Sequence, residues 1–395
     1  MASTAGEVTS TPGVAASGFG TGGVTVVPRT FAWSGEATGE RMPWFADGLR
    51  RLMLEQGYTE IDSPGPEVAV VLHFLDPEAP RPYRRKAAPT FVVALAELGT
   101  PPTDVVRTGY PLLVRGLANL CIMLSPEDGG TKADFVTLEQ GAYSLDTSIG
   151  DDEFFFKSVF ARVEPLASSR LVIANEFVPD LPEELWAGDE ITSQITRAGE
   201  RLEALDLLPA AFPIEEILSA RDLRHVKLLY GIGGLSYGNV SARRSVGPGE
   251  PEPQYWMSAS GVDKSALREI GRDILLVNGY DAATGVMKLS VPAGVEPRRV
   301  SVDAIEHWMI YKEHPDVGAI LHVHAWVEGT VATEMNYPCG THELAEAVAD
   351  LVRAAPDPSR AIVGQRNHGL TITGPSLDEI FERVDGRIVR KVPMD

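Results

Sequence analysis

Hydrophobic and polar positions divide the chain into two halves of different rhythm. In residues 38–57, TGERMPWFADGLRRLMLEQG, the apolar Phe45, Leu49, Leu52 and Leu54 recur near one side of a predicted helix that Gly57 closes. Short apolar runs follow: EVAVVLHFL, PTFVVALAEL, LLVRGLANLCIML, ADFVTLE, FFFKSVFARV and SSRLVIANEF, separated by clusters of Pro, Gly and Asp. That punctuation predicts a mixed α/β or α+β domain over residues 25–200. No grouping of His, Cys, Asp or Glu in this span has the spacing of a site. His73, inside VVLHFL, reads as a packed strand residue. The charged, amphipathic stretch AGDEITSQITRAGERLEALDLLPAAFP then predicts a connecting helix and a linker over residues 201–212.

From Pro213 onward the elements are sharper. IEEILSARDLRHVKLLYGIGG is helical in pattern and ends at a glycine cluster, and SYGNVSARR is a tight turn leading into a strand. YWMSASGVDKSALREI reads as strand, Ser-Gly turn and helix, and DILLVNGYDAATGVMKLS as two strands about a turn. SVDAIEHWMIYKEHPDVGAILHVHA is a helix running into a strand. GTHELAEAVADLVRAA, RAIVGQRNHGLTITG and SLDEIFERVDGRIVRK supply a helix, a strand pair and a closing helix. GIGGLSYG is no dinucleotide loop, because it follows a helix and lacks the G-x-G-x-x-G spacing.

Composition narrows the partners rather than the chemistry. Fifty-five acidic against 35 basic side chains give a net charge of -20, which disfavours nucleic acid and anionic membranes. Two cysteines, Cys121 and Cys339, cannot build a disulfide framework. No apolar run approaches the roughly 20 residues of a membrane span. Residues 1–24 are small and Gly/Ser/Thr-rich, without a basic start and apolar block, and predict a disordered leader rather than a secretory signal. A cytoplasmic protein is the expectation.

The chemistry concentrates in GAILHVHAWVEGT. Leu321, Val323 and Ala325 alternate with His322 and His324, so a strand there presents both imidazoles on one face, about 6–7 Å apart at the Cα level. Two histidines satisfied by backbone carbonyls would fit the same pattern. A third, His368, ends another apolar strand and is followed by Gly369, a residue that permits a sharp turn. Three histidines can hold Zn²⁺ or Fe²⁺ and leave positions open for substrate oxygens, which defines a Lewis-acid site.

These blocks, in this order (GNVSAR, MSASG, SVDAIEHWMIYKEHPDVGAILHVHA, PCGTHELAEAV and NHGLTITGPSLDEIFERV), make residues 213–395 resemble the class II aldolase/adducin family. The resemblance implies an α/β/α sandwich around a mostly antiparallel sheet, with an additional N-terminal domain here. It also implies cyclic tetramers whose active sites lie between subunits. His322, His324 and His368 match the family's metal-binding histidines. Ser301 and His307 match the block before the two-histidine strand, while Asp303 takes the place of the family's acid/base glutamate. Asp303 is one methylene shorter, so it reads as a base of altered reach, a fourth metal ligand, or a helix-start residue. Glu306, one turn on, reads as a solvated helix position.

Gly238, Asn239, Ser260, Gly261 and Ser301 match positions that bind phosphate in sugar-phosphate members. Val302 replaces a serine of that set, and Asp263 lies nearby with Lys264 beside it. The balance leans toward a carboxylate or neutral substrate. The segment AWVEGTVATEMNY is shorter than its aldolase counterpart, and Tyr337 is a candidate proton donor within it. Thr341 reads as the cap of the next helix, and Cys339 has no visible activating neighbour.

The resemblance thus implies a metal-dependent lyase, with Zn²⁺ favoured over Fe²⁺ or Mn²⁺. It would act on a small hydroxy-oxo acid or sugar-derived substrate through a metal-stabilised enediolate, by aldol cleavage or decarboxylation. An iron-dependent oxygenase-like enzyme on a 2-oxo or aromatic acid and a non-catalytic adducin-like scaffold are the alternatives. A homotetramer is the expected assembly. Light scattering at micromolar concentration should show it, and a clean monomer would rule out borrowing a residue from a neighbouring subunit.

Overall fold

The computed structural model describes residues 28–145, 151–230, 236–244 and 252–395. The expected leader and the GIGGL segment lie outside the described residues. Among these, no helix is long and apolar enough to cross a membrane.

The first sheet holds β1 (Thr30–Ser34), β2 (Thr59–Glu60), β3 (Val70–Phe74), β4 (Phe91–Glu97), β5 (Leu120–Glu127), β6 (Gly130–Thr137) and β7 (Ala142–Leu145). Their order is β2-β1-β3-β4-β5-β6-β7. Pairing is parallel from β2 to β5 and antiparallel from β5 to β7. The continuous apolar runs of β3, β4 and β5 are explained by burial on both faces. Val70, Leu72, Val93, Leu95 and Ile122 face a core shared with α1 (Arg41–Glu55) and α3 (Asp152–Ser168). The alternate residues Val71, Val92, Ala94 and Cys121 face α2 (Val105–Gly116) and two short helices described below. Met53, not Leu54, turns inward from α1, and Leu54 is exposed. The Glu97 carboxylate accepts the backbone N–H groups of Glu40, Arg41 and Met42 at 2.9–3.1 Å and so fills the anion position at the start of α1.

The second sheet is built from β8 (Ala174–Val178), β9 (Asn239–Arg243), β10 (Tyr255–Ser258), β11 (Ile274–Asp281), β12 (Val286–Ser290) and β13 (Ala319–Val323), with β15 (Ile362–Gln365) and β16 (Gly369–Gly374). β14 (Trp326–Val327) pairs separately with β17 (Ile388–Val389). The order is β15-β16-β13-β9-β10-β11-β12-β8, antiparallel except for the parallel pairing of β12 with β8. Adjacent residues of β10 reach opposite layers. Trp256 Nε1 donates to Asp189 at 3.0 Å, at the start of α4 (Glu190–Ala204), whereas the Tyr255 hydroxyl donates to Ala304 O at 2.7 Å, in α7 (Ala304–Glu313). α4 packs with α9 (Leu377–Val384) on one face, and α7 packs with α8 (His342–Ala354) on the other. This is the expected α/β/α sandwich.

Three local expectations change. Residues 174–178, attached by the sequence pattern to the first half, supply an edge strand to the second sheet, and the expected connecting helix is α4, packed in that sheet's core. Conversely α5 (Ile214–Ile217) and α6 (Ala220–Tyr230), separated by a break at Leu218, place Ile214, Leu218 and Val226 in the core of the first sheet. The helix expected after SASG is one 3₁₀ turn, Lys264–Ala266, with Asp263 accepting from Ser265 N. Each swap rests on pairing with residues far away in the chain, which local periodicity does not encode.

That turn lies directly against α4, where a Cβ on Gly199 would collide with the Lys264 carbonyl oxygen. Gly199→Ala should therefore lower stability by about 1–3 kcal/mol in urea unfolding, the usual worth of overpacking. An unchanged midpoint would show that α4 can shift freely.

Candidate metal centre

β13 lies between β9 and β16, and its register sets His322 opposite Asn239 on one side and Thr371 on the other. His324 follows the end of the strand. His368 comes from the turn joining β15 to β16, where its N–H donates to Gln365 O at 3.0 Å and Asn367 takes a left-handed φ of 56°. Gly369 serves close approach here, because a Cβ would strike the Val323 carbonyl; Gly238 likewise lies against the His322 carbonyl with φ 69°.

The three rings converge, with centroids 4.8–5.2 Å apart, and each is buried. His322 Nδ1 lies 3.0 Å from Leu370 O, which fixes Nδ1 as the protonated nitrogen and points the lone pair of Nε2 inward, where it has no protein partner. His324 Nε2 and His368 Nε2 are 3.1 Å apart. Burial, reinforced by the neighbouring His368, holds both His322 and His324 well below the usual histidine range, so they stay neutral. Neutral nitrogens facing one another in a dry interior are what a divalent cation satisfies, and the donor set suits Zn²⁺.

Two further donors reach the same place. Glu139 sits in the turn between β6 and β7, closed by the Thr137 N–H to Gly141 O bond of 2.8 Å. Its Oε2 lies 3.1 Å from His368 Nε2 and 3.6 Å from His324 Nε2. Burial works to raise the Glu139 pKa, but the contacts with His368 outweigh it and hold the group below the ordinary glutamate value. Cys339 Sγ lies 3.3 Å from His368 Nε2 and 3.5 Å from Glu139 Oε2. Burial and the adjacent carboxylates push its thiol well up, in keeping with the absence of an activating neighbour. Sequence reasoning passed over Glu139 because ADFVTLEQGAY carries no ligand spacing and lies 229 residues before His368.

The second-half carboxylates divide. Asp303 is buried, accepts from Asn239 Nδ2 at 2.6 Å through Oδ2, and caps no helix N–H. Its Oδ1 has no protein partner, and burial raises the group to about 6. Glu306 corrects the expectation of a solvated position. It is 1% exposed, accepting from Thr371 Oγ1 at 2.6 Å and Gln365 Nε2 at 2.8 Å, and burial raises its pKa strongly. Beneath them His307 Nδ1 meets Ser241 Oγ at 2.7 Å, with Tyr311 OH 2.8 Å from the same oxygen. Lys264 is buried with its ammonium donating to Ser236 O at 3.0 Å, and desolvation brings it down to about 8.

A cavity of about 310 Å³ opens between the two sheets. Glu139, Cys339 and His368 form its metal-centre end, while Arg85, Arg162 and Arg299 line it elsewhere. Tyr337 also borders it. Of the matched phosphate positions, Asn239 holds Asp303, and Ser301 is buried with its N–H on Ser258 O. Ser260 donates its N–H to Arg299 O, Gly261 turns with φ 69°, and the cavity wall carries Val302 in place of these serines. Thr341 caps α8 by accepting Leu344 N–H, as its sequence predicts, and His73 packs with Nε2 on Arg81 O at 2.8 Å.

Residues 223–335 match the family model described as Class II Aldolase and Adducin N-terminal domain. The chain thus carries a domain of the class II aldolase and adducin family, a family that includes metal-dependent lyases and non-catalytic members. The match contains Asn239, Asp303, His322 and His324 and stops before His368. Among solved structures, an L-fuculose 1-phosphate aldolase is 18% identical over 51% of this chain and 82% of its own, with a TM-score of 0.34. A sugar-phosphate aldolase from Thermotoga maritima is 16% identical over 50% of this chain and 89% of its own, also with a TM-score of 0.34. No curated protein matches the chain.

The buried His307 makes a stability prediction. Burial lowers it to about 3, below the roughly 6.5 of an exposed histidine, so between these values the unfolded chain binds a proton that the folded chain does not. Stability contributed by the neutral form is present above pH 6.5 and is lost as pH falls toward 3, at about 1.4 kcal/mol per pH unit. In metal-free protein, His307→Gln should lower stability at pH 7 yet flatten the fall between pH 6.5 and 4.5 in urea unfolding. An unaltered slope would mean that His307 is protonated in the folded state.

Proposed function

We propose that this protein is a metal-dependent lyase of the aldolase kind, acting on a small anionic hydroxy-oxo compound. The observation that carries the reading is the unpartnered Nε2 of His322 beside the imidazoles of His324 and His368, with the buried carboxylate of Asp303 near enough for His368 to lower its pKa. Zn²⁺ held by these three histidines would supply a Lewis acid for a substrate's carbonyl and neighbouring oxygen. Asp303 then moves the proton at the reacting carbon. Asn239 anchors Oδ2 and leaves Oδ1 to work. A carboxyl with a pKa near 6 is ionised at neutral pH and still basic enough to take a proton.

The substrate class follows from the cavity wall. Three arginines are among the residues lining a volume at the small end of the ligand-site range, which suits a compact molecule bearing a carboxylate or phosphate. Arg162 keeps its Nε without a hydrogen-bond partner, and its guanidinium lies over the Phe135 and Tyr143 rings. The histidines would hold the metal that polarises a substrate's oxygens, and the arginines would receive its anionic end. Ser260, Gly261 and Ser301, by contrast, are not among the residues that line it.

Asp303→Asn tests the proton role. With a substrate found by screening hydroxy-oxo acids and sugar phosphates for cleavage, turnover should fall by roughly 10²–10⁴ while the metal content stays constant. Asp303→Glu should also lose activity, because the longer side chain crowds the buried site. Undiminished turnover in the asparagine variant would remove Asp303 from the mechanism.

A further inference from the structure

We propose that Glu139, carried by the first sheet, is a fourth protein ligand of the metal held by His322, His324 and His368. The inference rests on the three-histidine reading above and adds to it a donor from outside the matched family domain. Four donors around Zn²⁺ at bond lengths of 2.0–2.2 Å stand about 3.3–3.5 Å from one another in a tetrahedron. His324 Nε2, His368 Nε2 and Glu139 Oε2 are spaced at 3.1, 3.1 and 3.6 Å, close to the edges of such a face. A donor nitrogen of His322 lies within 4.8 Å of those of His324 and His368, and Glu139 belongs with Cys339 to a second such group that shares His368 with the first.

Ordinary hydrogen bonding accounts for these contacts poorly. His368 Nε2 carries at most one proton, yet it has three close neighbours: His324 Nε2 at 3.1 Å, Glu139 Oε2 at 3.1 Å and Cys339 Sγ at 3.3 Å. One cation inside the group satisfies the nitrogens and the carboxylate together, and the Cys339 thiol is left to donate to Glu139 Oε2 at 3.5 Å. The position that the resemblance assigns to a metal-contacting carboxylate is filled by Asp303, whose Oδ2 is engaged by Asn239 and whose Oδ1 meets no protein group. Two carboxylates then share the work: Glu139 binds, and Asp303 is free to transfer protons. The hairpin between β6 and β7 thereby gives the first sheet a function, closing the metal centre from within the same chain.

The test is cobalt(II) titration of the metal-free full-length protein, in competition with a chelator and followed by visible absorption, with circular dichroism to verify folding. Glu139→Gln keeps the shape and removes the charge. It should weaken cobalt binding at least about tenfold and change the visible bands. Asp303→Asn should leave both unchanged. If the wild-type chain takes up no cobalt, the three-histidine reading fails and this inference with it. If the wild type binds, His324→Ala does not, and Glu139→Gln matches the wild type in affinity and spectrum, the histidine site stands and the role of Glu139 is overturned. Weakening by Cys339→Ser or Asp303→Asn without weakening by Glu139→Gln would likewise overturn it and transfer the fourth position to that residue.

Discussion

Three imidazoles held together in a buried cluster are the constraint on which the rest of this structure depends. An ionised histidine there would lose most of its hydration, so burial keeps His322 and His324 uncharged and leaves their lone pairs directed at one point. Such an arrangement would be unfavourable without a cation and favourable with one, and a bound metal would then be coupled to local folding. The backbone is shaped to permit it. Gly238 and Gly369 bring neighbouring chains against the His322 and Val323 carbonyls, closer than any side chain would allow.

Polar groups below the histidines are paired in ways that hold the site rigid. Thr371 and Gln365 bind Glu306, Asn239 binds Asp303, and Ser241 joins His307 to Tyr311. Each bond links the sheet to α7, so the helix carrying the acid/base candidate is fixed in height above the strands that carry the ligands. In a low-dielectric layer each such bond is strong, and each unmet partner would be expensive. Asp303 Oδ1 and His322 Nε2 are among the buried atoms left without a partner, together with Asn239 Oδ1, His307 Nε2 and Gln365 Oε1.

Both sheets contribute residues at this point. A parallel sheet buried on both faces would ordinarily bind ligands at the carboxyl ends of its strands. Here Glu97 occupies the start of α1, and it is the antiparallel edge, β5 to β7, that carries the turn bearing Glu139. The cavity is lined by residues of both halves, with arginines from each (Arg85 and Arg162, and Arg299). An acidic chain that gathers three arginines around one small cavity has a local field opposite in sign to its average.

Much of the second half was readable from residue order. Alternation around His322 and His324 fixes a strand with both rings on one face, since side chains in a strand repeat every two residues. The ordered blocks from GNVSAR to NHGLTITG carry the sandwich, the capping by Thr341 and the third histidine. Other features depend on pairings that no local pattern records. Residues 174–178 lie parallel to β12 across more than a hundred intervening residues, and α5 and α6 pack against the first sheet. Glu306 reads as solvated from its position on a helix, but α7 is covered on that side by Thr371 and Gln365. Glu139 is the clearest case. Nothing in TLEQG distinguishes it from any turn carboxylate, and only the meeting of two separate sheets sets it 3.1 Å from His368. The sequence by itself determined the donors that share a strand or a turn; the tertiary structure decided which distant carboxylate joins them, because convergence across two sheets is a property of packing and not of spacing along the chain.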